Sequence, residues 1–213
     1  MNKTTKQTEK WAGEFGKEYT NRNTRTLEEM ESSYQKDFIL TRTEMNTEFI
    51  GDLKRSTRIL EVGSNIGNQL LCLQNMGFRS LYGIELQEYA VELSKSRTKH
   101  INVTQGSVFD IPYKDGFFVL VFTSGLLIHI APSDIEVVLR EIYRCSKKYI
   151  WGFEYYADRY TPVKYRGHND LLWKTNFAKL YLDTFADLQL VKEKRFKYRS
   201  NENVNSMFLL EKR

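Results

Sequence analysis

The chain has 213 residues and a formal net charge of +5, with 14% aromatic and 28% charged side chains. That length suits one domain with a full doubly wound core, and the composition is that of a globular rather than a disordered chain. No apolar run approaches the roughly 20 residues of a membrane helix, and Cys72 and Cys145 provide neither a disulfide framework nor a metal-like spacing.

The lysine-bearing start lacks a signal-peptide core, so a cytoplasmic protein with reduced thiols and no metal is expected. Lysine and arginine are spread along the chain. This permits an anionic partner but reads first as solvated surface charge. Residues 8–19 have helical spacing, with Thr8 as the cap and Trp11, Phe15 and Tyr19 on one side. Polar residues 21–25 break the pattern. A second helix is expected over 27–35 and a third over 37–53, with Phe38, Thr41, Met45 and Phe49 inward. Residues 1–55 thus form a helical extension ahead of the first strand, expected to lie over the ligand crevice as a lid.

Residues 58–62 are an apolar run bounded by charge, which reads as a buried parallel strand. Gly63, Ser64, Asn65 and Gly67 then make a tight turn into a helix over 68–74. A strand, a small-residue loop and a helix start bring N–H groups and a positive dipole end to one point, and a ligand can approach the backbone closely. A second strand over 80–86 carries Glu85 at its end. Helix 87–97, a short strand 101–104 and a strongly apolar strand 117–122 follow. Ser133 is expected to cap a helix through Cys145, ahead of a strand over 148–154. An aromatic-rich loop over 155–170, too long for a mere connection, leads to a helix over 170–185 and a hairpin of 188–199 with 206–211. This order predicts an α/β fold over residues 1–213: a Rossmann-like, doubly wound, mainly parallel seven-stranded sheet. A C-terminal antiparallel hairpin and an N-terminal helical lid complete it, with residues 56–213 as the core.

Glu85 at a strand end can take both hydroxyls of a ribose, which points to a nucleoside without naming it. Gly63 and Gly67 do not have the spacing of the dinucleotide fingerprint, which disfavours NAD. His129, in an apolar run, is a candidate general base or a bonded core histidine.

Glu61-x-Gly63-x-Asn65-x-Gly67 resembles the first motif of class I S-adenosylmethionine-dependent methyltransferases, an acidic residue followed by alternating glycines. Asn65 stands for the middle glycine and is one of the few residues that enter the left-handed region readily. The stretch from Gly106 through Asp110, Pro112 and Phe118 resembles the family's adenine-flanking segment, although Ser107 and Val119 stand where relatives often carry aspartate. Trp11 to Asn23, Glu154-Tyr155-Tyr156 and Tyr165-Arg166-Gly167-His168 resemble methyltransferases associated with pseudaminic acid biosynthesis.

The resemblance implies S-adenosylmethionine as cofactor, with S-adenosylhomocysteine as product. It implies cofactor contacts from Glu61, Gly63, Ser64, Asn65, Gly67, Asn68, Glu85, Leu86, Ser107, Val108 and Thr123, with Tyr19 and Arg22 closing from the N-terminal helices. Glu154, Tyr155, Tyr156, Tyr165, Arg166 and His168 would bind a small polar acceptor, such as an acidic or nucleotide-linked sugar, for methylation at O or N. A nucleic-acid methyltransferase is the alternative enzyme, disfavoured because no Asn/Asp-Pro-Pro-Tyr or Pro-Cys motif occurs. A cofactor-binding scaffold without turnover is the non-enzymatic alternative.

Overall fold

A computed structural model describes residues 3–213. Four helices come first: α1 (Lys6–Ala12), α2 (Glu14–Arg22), α3 (Leu27–Phe38) and α4 (Arg42–Ile50). Thr5, Thr26 and Thr41 cap α1, α3 and α4 in reciprocal boxes with Thr8, Glu29 and Glu44. The single helix expected over 8–19 is instead two. Gly13, in extended conformation, ends α1 and starts α2, and Thr8 is the partner of the cap rather than the cap itself.

The core follows in order: β1 (Arg58–Val62), α5 (Asn68–Asn75), β2 (Ser80–Glu85), α6 (Glu88–Arg97), β3 (Ile101–Gln105) and β4 (Phe118–Ser124). After a 3-10 turn at Leu127–His129 come α7 (Ile135–Cys145), β5 (Ser146–Tyr155), the short β6 (Thr161–Pro162) and β7 (Trp173–Lys174), then α8 (Phe177–Thr184). The hairpin is β8 (Leu188–Lys197) and β9 (Val204–Lys212). The seven-stranded sheet runs β3-β2-β1-β4-β5-β9-β8. Its first five strands are parallel, and β9 inserts antiparallel between β5 and β8.

Alternate side chains of the central strands feed two cores. Leu60, Val62, Val121 and Ile150 pack toward α7 and α8. Ile59, Leu120, Phe122 and Trp151 pack toward α4, α5 and α6. Such burial on both faces is what makes β1 and β4 continuous apolar runs in sequence. Three boundaries differ from expectation. The helix expected over 37–53 is only Arg42–Ile50, because α3 runs on to Phe38, Ile39 turns left-handed, and Thr41 caps α4 rather than packing inward. The predicted helix over 170–185 is only Phe177–Thr184, capped by Asn176, because the segment before it pairs β6 with β7. Helix α7 starts after Asp134 rather than Ser133 and has no side-chain cap; the Asp134 carboxylate accepts from Lys3 instead.

Cys72 and Cys145 are buried free thiols. Among the described residues no helix is long and apolar enough to cross a membrane, and no cluster of His, Cys, Asp and Glu is arranged to hold a metal ion.

Gly152 marks the tightest contact in the sheet. A Cβ there would stand 2.2 Å from the Phe208 ring on β9. Gly152→Ala is expected to destabilise the protein by about 1–3 kcal/mol, as overpacking does, read as a lower midpoint in urea. An unchanged midpoint would mean the β5–β9 seam yields freely.

Candidate active site

The carboxyl ends of β1, β2, β4 and β5 open on one cavity of about 520 Å³, roofed by the N-terminal helices. This is where ligands sit in parallel α/β sheets, beside the point at which strand order reverses. Here β1 is flanked by β2 on one side and β4 on the other.

The loop after β1 is shaped by backbone need. Gly63 has φ 73°, and a Cβ on it would lie 2.7 Å from Leu126 Cδ1, so only glycine fits. Asn65 takes φ 47°, the left-handed conformation expected of it. Its side chain has a further job that a glycine could not do. Asn65 Nδ2 donates to Thr20 Oγ1 at 2.8 Å, and Asn68 Nδ2 donates to the Asn23 carbonyl at 2.9 Å, fastening α2 to the loop. Gln87 Nε2 donates to the carbonyls of Ala12 and Gly13, each at 2.8 Å, and fixes the junction of α1 and α2.

Glu85 closes the same corner. Its Oε2 accepts from Asn65 N–H and its Oε1 from Gln87 N–H, both at 2.8 Å. Burial raises its pKa, and those two N–H groups with that of Leu86 oppose the rise. A carboxylate has about four lone-pair sites, so beyond these three N–H groups it can still accept from a ligand hydroxyl. Glu61 is different. It is 2% exposed, and its Oε2 has no hydrogen-bond partner among the described residues. Burial pushes its pKa well above the usual carboxylate range, while the positive charge of Arg42 pulls it back. A buried carboxylate oxygen facing a cavity without a partner is a site for a ligand cation.

Across the cavity, His129 Nδ1 lies 2.7 Å from the Leu171 carbonyl, an acceptor only, so Nδ1 carries the proton of the neutral ring and Nε2 is the unprotonated nitrogen. Burial lowers its pKa to about 4. Its ring sits 4.5 Å from Trp11 and 5.4 Å from Tyr165, centroid to centroid.

Of the residues singled out in the sequence, Tyr19, Glu61, Gly63, Ser64, Asn65, Asn68, Glu85, Leu86, Ser107, Val108, His129, Tyr155 and Tyr165 line this cavity. The others lie elsewhere. Gly67 caps α5 at φ 80°. Arg22 turns to Glu18 at 3.5 Å. Thr123 is buried and bonds Glu154, whose carboxylate faces the N–H groups of Leu126, Leu127 and Ile128 and so holds the turn that carries His129. Tyr156 bonds Asp158 and lies under the Arg195 guanidinium.

Arg166 and Gly167, at φ 48° and 86°, form a tight two-residue turn closed by reciprocal backbone bonds between Tyr165 and His168. The turn leaves Arg166 exposed and stands His168 against Phe15 at 5.8 Å. Sequence reasoning missed Tyr34, Asp37, Tyr198 and Asn205 as cavity residues and took Phe38 for core. Their distance from the β1 loop along the chain hid them, and α3 and the hairpin carry only one tyrosine each, Tyr34 and Tyr198, which is no local signal.

The fold and the crevice define an α/β protein with a ligand-sized cavity at the carboxyl ends of β1 and β2. Residues 60–149 match the family model described as a methyltransferase domain. Similar solved structures include the protein crystallised with the Haloferax volcanii Trm112 methyltransferase activator, at 14% identity over 90% of this chain and 94% of that one, TM-score 0.68. A S-adenosylmethionine-dependent methyltransferase of Methanosarcina mazei matches at 14% identity over 76% and 95% of the chains, TM-score 0.62. The [4+2]-cyclase SpnF matches at 14% identity over 80% and 79%, TM-score 0.63. These likenesses show the fold. No curated protein matches the chain. The matched stretch runs from β1 to the first part of β5, and so takes in the β1 loop, Glu85 and His129.

Burial to 1% exposure lifts Glu154 from the ordinary 4.5 to about 7. A raised carboxyl favours the folded state below its unfolded value and loses that contribution as pH rises through its folded value. Wild type should therefore lose stability relative to Glu154→Gln between about pH 5 and about pH 8, by an amount on the order of 3 kcal/mol. Denaturant melts of both proteins across that range would read it. Parallel curves would show that Glu154 is not held protonated.

Proposed function

We propose that the protein transfers a methyl group from S-adenosylmethionine to an oxygen or nitrogen of a small polar acceptor held in the tyrosine-lined end of the cavity. The observation that carries this reading is Glu61 Oε2, buried and without a partner, in the same cavity as the Glu85 carboxylate. The two fit the ammonium and the ribose of the donor. When bound, S-adenosylmethionine supplies a methyl group already activated on a sulfonium centre.

In this reading Glu61 binds the amino group and Glu85 accepts the ribose hydroxyls, while Ser107 and Val108 flank the base. The Ser107 hydroxyl already accepts from Phe109 N–H at 3.2 Å, which holds that turn in place. His129, neutral over most of the working pH range, offers Nε2 to orient an acceptor hydroxyl or amine. Trp11 and Tyr19, on the helices tied down by Asn65, Asn68 and Gln87, act as a lid over residues 1–55 that keeps water from the reacting atoms. Positioning the nucleophile in line can supply much of the rate.

The sequence resemblance to pseudaminic-acid-associated methyltransferases points the acceptor toward a sugar. An acidic sugar draws less support. Arg166, the residue that suggested it, is exposed and outside the cavity lining, and the only arginine or lysine among the lining residues is Arg25, which donates to Ser33.

Calorimetric titration with S-adenosylhomocysteine, with NAD as control, tests the reading. We expect micromolar binding of the first ligand only, weakened at least about tenfold by Glu85→Ala and by Glu61→Gln. Absence of binding to millimolar concentration, or equal binding of NAD, would overturn the assignment of this cavity to the methyl donor.

A further inference from the structure

Beyond the donor residues, the cavity has a second end built from α3, the end of β5 and the β8–β9 hairpin. Tyr34, Asp37, Phe38, Phe153, Tyr155 and Tyr198 line it. The rings form one connected cluster: Tyr34 and Phe38 each lie about 6 Å from Phe153, Phe38 packs edge-on to Tyr198 at 4.5 Å, and Tyr155 lies 5.9 Å from Tyr198. Asp37 is the one carboxylate among them. Its Oδ1 accepts from Ser200 Oγ at 3.0 Å, and among the described residues it forms no ion pair.

The charge balance of the lining decides what this end can take. Glu85 and Asp37 face the cavity without a paired cation, Glu61 does so with the buried Arg42 charge acting on it, and Asp134 is already matched by Lys3. Against them stands Arg25. An acceptor carrying phosphate or carboxylate would bring a further negative charge into a space that already holds an excess of it. Aromatic faces attract cations through their quadrupoles. The same rings show it on the sides that do not line the cavity. The Arg42 guanidinium lies 4.5 Å from the Phe153 centroid and 5.2 Å from Tyr34, and Lys174 Nζ lies 5.3 Å from Tyr155.

We propose that Asp37 and the rings around it are the acceptor subsite, and that it recognises a positively charged nitrogen on the acceptor, a protonated or quaternary amine. The amine is the handle by which the acceptor is held; the inference does not depend on which atom receives the methyl group. It rests on the methyl-donor reading of the other end of the cavity and narrows the acceptor class within it.

Choline and its neutral carbon isostere 3,3-dimethylbutan-1-ol have the same shape and differ in charge, so they serve as probes. Each is titrated into protein saturated with S-adenosylhomocysteine, with glucuronic acid as the anionic comparison. Choline should bind at least about tenfold more tightly than the isostere, in the range a desolvated cation–π and carboxylate site gives, and glucuronic acid more weakly than choline.

Asp37→Asn keeps an acceptor for Ser200 and should remove most of the preference while leaving S-adenosylhomocysteine affinity unchanged. Equal binding of choline and the isostere, preference for glucuronic acid, or no choline binding at tens of millimolar would overturn the proposal. So would a preference that survives Asp37→Asn. The wild-type comparison stands by itself if the variant folds poorly. Failure of S-adenosylhomocysteine to bind would instead strike the donor reading, so the two failures are distinct.

Discussion

Three strands of the parallel sheet bring a glutamate out of water near their carboxyl ends, and the crevice is organised by what satisfies each of them. Burial drives Glu61, Glu85 and Glu154 toward protonation. Removing a carboxylate from water costs several kcal/mol unless hydrogen bonds or charges replace the lost hydration. For Glu85 the replacement is the N–H of Asn65 and that of Gln87, which ties the β1 loop to the start of α6. For Glu154 it is Thr123 and the turn at Leu126 to Ile128, which sets His129 in place. Glu61 keeps Oε2 without a partner among the described residues, with the charge of Arg42 and the N–H of Leu70 favouring ionisation. Of these three glutamates, Glu61 and Glu85 line the cavity, where a ligand would enter.

Helices α1 and α2 are fastened over the site by side-chain amides beside the ring contacts of Trp11 and Phe15 with His129, Tyr165 and His168. Asn65, Asn68 and Gln87 hold backbone and side-chain oxygens of α1 and α2 against the donor end. Each of these three stands on the loop or helix start that also frames the corner around Glu85, so closing the roof and shaping that corner depend on the same short segments. The departure of Asn65 from the alternating-glycine pattern therefore has a physical reason in this chain. It meets the backbone requirement for a left-handed residue and supplies the contact to Thr20.

The parts legible in sequence were those governed by local rules. Period-two and period-3.6 patterning gave the strands, the seven-stranded order of elements and the helical extension, because each depends on neighbours a few residues apart. The β1 loop was legible because glycine and asparagine signal backbone conformations directly. Side-chain direction was not. Glu154, Tyr155 and Tyr156 are consecutive, yet strand alternation sends only Tyr155 to the cavity. Arg22 and Arg166 were attractive as anion partners, but one sits beside Glu18 and the other at the tip of a tight turn, where solvation suits a guanidinium. The meeting of Asp37 and Phe38 with Tyr155 and Tyr198 joins segments from opposite ends of the chain, and no local pattern encodes it.

The central claim is that Glu61 and Glu85 form the two polar anchors of one donor site. A crystal structure with S-adenosylhomocysteine tests it most directly. The account predicts the ribose hydroxyls on Glu85 and the amino group within hydrogen-bond distance of Glu61 Oε2, with the β1 loop unchanged. A ligand bound elsewhere, or one that leaves Glu61 Oε2 without a partner, would contradict it.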